Sequence, residues 1–311
     1  MSTLNPLLTF ASGFAFNWAL QSVLTVQVYI YYLCFPNDSK YRKCLVYAVC
    51  IYEWVQTALV TADIYQRFIT EDTSYMMYFA SYGISWITLF MMPALTAAIV
   101  QLFYAWRIAV VSQRRVYSIV ILLVVMTAFC SGIVSAVSMK NLGVDDDVSE
   151  VTWDVATQVW LWCSVLVDYM IAGFMIYTLR RFKTMRTDTD LLVNRVIRLV
   201  IETGCLTVAG AIATLICWNG FPRTSLAACP LLVLSKLYAN TMMINLNNRA
   251  FIQSAPSGVN MGRSPLGFPM SSPQTGRIPS SVLIVADSER SVEVALPSTA
   301  DADQGPFEVT K

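Results

Sequence analysis

Seven long apolar stretches follow one another between residue 9 and about residue 246, with short polar intervals between them. A helix of about 20 apolar residues crosses the hydrocarbon core of a bilayer. The pattern therefore predicts membrane-spanning helices near 9–33, 44–65, 83–106, 117–139, 155–179, 199–219 and 225–246. The fourth, from Tyr117 to Met139, carries no charged residue. The third contains Pro93 and the seventh Pro230, and a kink is expected at each. The first stretch lacks a basic flank and is too long for a cleavable signal core, so it is expected to remain as a helix. From residue 250 onward Pro, Ser and Gly replace the apolar runs, and such a segment buries too little surface to order itself. The expected fold class is all-α: a polytopic membrane protein with a seven-transmembrane-helix bundle over 1–249 and a disordered cytosolic tail over 250–311.

Basic residues orient this bundle. Lys40, Arg42 and Lys43 follow the first span, and Arg107, Arg114 and Arg115 the third. Arg180, Arg181, Lys183, Arg186, Arg195 and Arg198 follow the fifth, and Arg249 the seventh. Against these thirteen, the opposite side holds Arg67, Lys140 and Arg223. Cations collect on the cytoplasmic side of membrane helices, so the N-terminus is expected outside and the C-terminus in the cytosol. The plasma membrane is expected ahead of an endomembrane. Asn37-Asp38-Ser39 is a glycosylation sequon that this topology places in the cytosol, where it should stay unmodified.

Composition agrees with a bilayer environment. Hydrophobic residues make up 56% of the chain and charged ones 13%, against roughly 45–50% and 25% in soluble domains. The net charge of +1 points to no acidic partner, and no nucleic acid is expected. The chain has no histidine, which removes the commonest general base and zinc ligand. No enzymatic activity, cofactor or metal is expected. The eight cysteines form no C-x-x-C pair and read as small apolar core residues.

Five ionisable residues fall within the spans: Glu53, Asp63, Asp168, Glu202 and Lys236. Charges at bilayer depth usually face the bundle interior and pair with one another. Glu53, Asp168 and Lys236 sit near the midplane, while Asp63 and Glu202 lie close enough to the ends to reach water. Lys236 is expected to pair with Glu53, with Asp168 facing across a cavity and Asn240 on the same helical face. That group either locks the bundle or lines a ligand cavity. Polar stripes at Asn17, Gln21 and Thr25, at Thr157, Ser164 and Asp168, and at Thr203, Thr207 and Thr214 read as helix–helix contacts. The aromatic clusters Tyr29, Tyr31, Tyr32 and Phe103, Tyr104, Trp106 read as interfacial belts. Arg107 together with the six basic residues between Arg180 and Arg198 offers either a lipid-headgroup contact or a surface for a cytosolic transducer.

Several segments resemble a known group of proteins. They are Gln27 to Tyr32 with Phe35, Pro36 and Asp38; Gln101-Leu-Phe-Tyr-Ala-Trp-Arg107; Thr203-Gly204; and Lys236-Leu-Tyr-Ala-Asn-Thr241 with Leu246, Asn247 and Arg249. In that order they look like the uncharacterised seven-helix membrane proteins of mushroom-forming basidiomycete fungi, a domain of unknown function. The resemblance spans about residues 10–252 and implies the seven-helix topology without an activity. Two functions then compete. The first is a receptor-like sensor with a small-molecule ligand and a cytosolic transducer such as a G protein. The second is a small-solute transporter or channel using Glu53, Asp168 and Lys236. A retinal protein is disfavoured, because Leu232 stands where microbial rhodopsins place an aspartate before the lysine.

Overall fold

The computed structural model describes residues 6–70, 84–112, 115–141, 146–183, 190–221 and 225–253. Every regular element among them is helical. The seven α-helices are α1 (Pro6–Cys34), α2 (Lys40–Thr70), α3 (Met92–Ser112), α4 (Arg115–Lys140), α5 (Asp146–Lys183), α6 (Asp190–Gly220) and α7 (Ala228–Gln253). A π-helical turn, Ile87–Met91, leads into α3, and a 3-10 turn, Ser225–Ala227, leads into α7. These elements lie in one compact unit, Met1–Gly258. The second unit, Val259–Lys311, and with it almost all of the expected disordered tail, lies outside the described residues.

Among the described residues, five segments are long and apolar enough to cross a membrane: Lys40–Gln66, Ile87–Val110, Val116–Lys140, Val148–Thr178 and Arg198–Gly220. This is consistent with an integral membrane protein. Polar side chains interrupt α1 and α7, among them Asn17, Gln21, Ser235, Lys236, Asn240 and Asn245, and all six are buried. The outward surface has the opposite character: Val55, Leu123, Val137, Leu166 and Ile216 are all exposed. Apolar outside and polar inside inverts the pattern of a soluble domain and suits a lipid solvent. Helix α5 has 38 residues, about 57 Å at 1.5 Å per residue, nearly twice the ~30 Å hydrocarbon thickness.

Helix α7 packs on α1, α2, α3 and α6, and α3 packs on α4, α5 and α7. These two form the interior of the bundle. In the spanning segment of α3, 72% of residues are buried, against 33% in α2, α4 and α6. Close approach depends on small residues. A Cβ added at Gly13 would lie 2.9 Å from the Cys229 backbone, and one at Gly132 would lie 2.6 Å from the Ala94 side chain.

The two prolines behave differently. Pro93 follows the π-helical turn, in which the Met92 N–H bonds the Ile87 carbonyl. The next carbonyl in that register, Thr88, would need an N–H from residue 93, which proline lacks. Gln56 of α2 supplies the missing donor, its Nε2 lying 3.1 Å from the Thr88 oxygen. Pro230 produces no comparable defect. It occupies the first turn of α7, where backbone N–H groups have no intrahelical partner in any case.

Three other expectations change. The eight cysteines are free but do not fill the core: Cys34, Cys44, Cys130 and Cys205 are exposed, and the rest are half-buried. An apolar solvent removes the need to hide them. Tyr31 and Tyr104 leave the aromatic belts and are buried with hydrogen-bonded hydroxyls, while Tyr29, Tyr32 and Trp106 remain exposed. Asp63 does not reach for water. It is 2% exposed, and Ser85 Oγ lies 3.0 and 3.2 Å from its two carboxylate oxygens. Glu202 is exposed and pairs with Arg198 one turn earlier on α6.

Candidate functional site

Lys236 on α7 and Glu53 on α2 meet in the centre of the bundle with neither side chain exposed. Helix α7 turns Lys236 towards α2, where an ammonium has no lipid-facing escape and needs an acceptor for each of its three protons. It finds the Glu53 carboxylate at 2.6 Å, the Glu53 backbone carbonyl at 2.7 Å and Gln56 Oε1 at 3.2 Å. Thr96 of α3 donates to the other carboxylate oxygen at 2.7 Å, and Ser235 donates to Gln56 Oε1 at 2.6 Å. Both charges are thus paired and hydrogen-bonded, the condition under which a buried ion pair is tolerated. Asn240, one turn along α7, adds no contact to the carboxylate. Its amide donates to the carbonyls of Lys236 and of Leu20 on α1.

Asp168 belongs to a different cluster. Gln101 of α3 donates to its Oδ1 at 3.0 Å, and the Tyr238 hydroxyl of α7 donates to its Oδ2 at 2.9 Å. Tyr238 stands two residues after Lys236, so the helical turn of 100° per residue sends it to another side of α7. Depth in the bilayer, which grouped Asp168 with Lys236, had no means of separating these faces. Beside Asp168 is a cavity of about 30 Å³ whose surface is mostly apolar, from Val100, Ile171, Ala172 and Val200 among others, with Gln101, Tyr104, Thr203, Thr207, Tyr238 and Thr241 also on its wall. That volume holds one or two waters. Below it, Asn245 donates to the Tyr104 hydroxyl at 2.6 Å and to Thr203 Oγ1 at 3.2 Å.

A third group ties α7 to the α1–α2 connection. The Arg249 guanidinium lies 2.8 Å from Asp38 and stacks over the Phe35 ring at 4.8 Å. Arg42 also pairs with Asp38, and the Tyr31 hydroxyl donates to it at 2.7 Å. Burial pushes the Asp38 pKa up, but the hydrogen bonds from Arg249 and Tyr31 and the two positive charges outweigh it. The net result is a carboxyl held below its ordinary range. Along the same seam, Asn17 donates to the Leu232 carbonyl and Asn247 to the Gln27 carbonyl.

The basic residues expected to form a coupling surface are only partly described. Arg107 is half-buried, Arg180 is exposed, and exposed Arg198 lies 2.7 Å from Glu202. Arg181, Lys183 and Arg195 fall within α5 and α6, with their side chains outside the described residues, as is all of Arg186.

Gln56, Thr96, Gln101, Ser235, Tyr238 and Asn245 carry much of this polar interior, and none was assigned a role from sequence. For Ser235, Tyr238 and Asn245 the signal was present in α7: polar residues recur on every side of it, leaving no uninterrupted apolar face for lipid. A helix of that kind is sheltered by its neighbours on all sides. Thr25 is the converse case, since it lies outside the buried face that Asn17 and Gln21 share and bonds its own helix at the Gln21 carbonyl.

No curated protein and no solved structure matches the chain. Residues 164–251, which supply Asp168, Lys236, Tyr238 and Arg249, match a family of unknown function, DUF6534.

Proposed function

We propose that this chain is a receptor-like sensor of the plasma membrane, with seven membrane-spanning helices, an outer N-terminus and a cytosolic C-terminus. A small molecule bound at an outer or intramembrane site shifts α7 within the bundle. The inner loops then engage a cytosolic transducer such as a G protein. No catalytic group takes part. The observation that carries this proposal is the placement of three polar groups on one helix. Lys236, Tyr238 and Arg249 of α7 hold α2, the α3–α5 pair and the α1–α2 connection in turn. A rigid helix with a separate partner at each level is the kind of element whose displacement links two sites.

Reconstitution tests the proposal. A sensor in proteoliposomes moves no solute, and its inner loops bind a G-protein α subunit. Solute uptake above that of empty liposomes overturns it. Substitution Lys236→Met should abolish signalling, and a variant that expresses and signals normally would count against any role for the pair. The second reading, a small-solute transporter or channel using Glu53, Asp168 and Lys236, is favoured by the cavity beside Asp168 and is decided by the same uptake measurement.

A further inference from the structure

Asparagine amides stitch α7 to α1, and only one of them is used in full. Asn17 Nδ2 donates to the Leu232 carbonyl at 2.8 Å, and its Oδ1 accepts from Thr57 at 3.2 Å. Asn240 donates to the Lys236 and Leu20 carbonyls, and Asn247 to the Gln27 carbonyl. Those bonds fix the orientation of both amides. Their Oδ1 atoms are buried and accept no hydrogen bond, and the same is true of Gln27 Oε1. Gln21 is the extreme case: it is fully buried, and neither its Oε1 nor its Nε2 has a partner.

These atoms fall into two places along the seam. Asn17 meets Thr57 of α2. One turn along α1 brings Gln21, and one turn back along the antiparallel α2 brings Glu53. Gln21 thus shares the level of the Lys236–Glu53 pair without bonding to it. Asn240 reaches the carbonyl of Leu20, the sequence neighbour of Gln21, and joins it there. Further along both helices, the bond from Asn247 to the Gln27 carbonyl puts their two unused oxygens at a second place. Together the seam holds four acceptors and one donor without partners. Such groups are expensive where no solvent reaches them. Lys236 cannot relieve them, because its three protons are already placed on Glu53 and Gln56. A second cation is unsuited to a level that already holds the Lys236 ammonium.

We propose that the seam between α1 and α7 binds two internal waters, one at each place. Two waters donate four protons, which matches the four acceptors. A primary amide presents its oxygen and one N–H side by side. One water therefore accepts from Gln21 Nε2, donates back to Gln21 Oε1 and keeps its second proton for Asn240 Oδ1. The other donates to Gln27 Oε1 and Asn247 Oδ1. The joint between α1 and α7 is thereby hydrated inside a bundle whose outer surface is apolar. The two sites follow from the packing of these helices and hold whether the protein senses or transports.

The test uses the full chain in lipid nanodiscs, imaged with a rigid antibody fragment at a resolution that shows ordered water. One peak should stand within hydrogen-bond distance of the Gln21 amide and Asn240 Oδ1, and one between Gln27 Oε1 and Asn247 Oδ1. Thermal unfolding supplies a second readout. Gln21→Met keeps the length of the side chain and removes the amide. An amide satisfied by water loses its bonds in that variant, so the unfolding temperature should fall by a few degrees. Removing a dry, unpaired amide would raise it instead. A rise therefore overturns the proposal. A map without both peaks, or with Gln21 and Asn240 bonded directly to each other, overturns it as well. Density too large for a water at either place would mean a different ligand and would also overturn it. Should the variant fail to fold, the map of the parent decides alone.

Discussion

Lys236 donates to two oxygens of one residue, the carboxylate and the backbone carbonyl of Glu53. The contact therefore fastens α7 to the main chain of α2 as well as to its side chain. Removing the ammonium strands a carboxylate that keeps only neutral donors. Lys236→Met should destabilise the bundle by about 3–5 kcal/mol. Replacing both partners by apolar residues, Lys236→Met with Glu53→Leu, should recover most of that loss, since no charge is left buried. Thermal unfolding followed by size-exclusion profile distinguishes these outcomes. A double variant as unstable as the single one would show that the two charges do not compensate each other.

Gln56 spans two structural problems at once, accepting from Lys236 and donating to the carbonyl that Pro93 leaves without an N–H. Gln56→Leu should cost about 2 kcal/mol through the unsatisfied groups it leaves. In a Pro93→Ala background the same change should cost less, because residue 93 then has an N–H for the Thr88 carbonyl. A double-mutant cycle on unfolding free energies measures the coupling. Additivity within about 0.5 kcal/mol would mean the two sites are independent.

The helical order of the chain was legible because lipid imposes one requirement, about 20 apolar residues per crossing, and α2 to α6 meet it directly. Glu53 and Lys236 were legible as partners because a lone base in a span has few acids to choose from. What stayed hidden was rotation. Periodicity states which residues share a face, and it states nothing about which neighbour that face meets. Asp168 was grouped with Lys236 on depth alone, while the direction of Tyr238 on α7 and of Gln101 on α3 decides that it stands apart. The π-helical turn was hidden for a related reason: Pro93 signals a broken hydrogen bond, and only the fold shows that Gln56 repairs it.

Asn37 is exposed in the turn between α1 and α2 and has the sequence of a glycan acceptor. In the proposed topology, with the N-terminus outside, that turn would face the cytosol, away from the glycosylation machinery. Glycosidase treatment of the full-length protein should produce no mobility change attributable to Asn37, and Asn37→Gln should migrate as the parent does. A glycan at this position would invert the proposed topology.

Asp38 joins Arg42 and Arg249 across the ends of α2 and α7, and the depressed pKa of its carboxyl sets the sign of a pH effect. A group with a lowered folded-state pKa stabilises fully above its unfolded value, near 3.9, and loses that contribution as pH falls through the folded value. Between pH 7 and pH 5 this group should leave stability unchanged. Below about pH 4 the parent should lose stability relative to Asp38→Asn, which has no proton to take up. At pH 7 the variant should be the weaker of the two, because Arg249 and Arg42 face a neutral amide. Unfolding temperatures of both proteins from pH 7 to pH 3 provide the comparison. Two curves that stay parallel into acid would mean that the contact between α7 and the α1–α2 connection does not depend on the Asp38 charge.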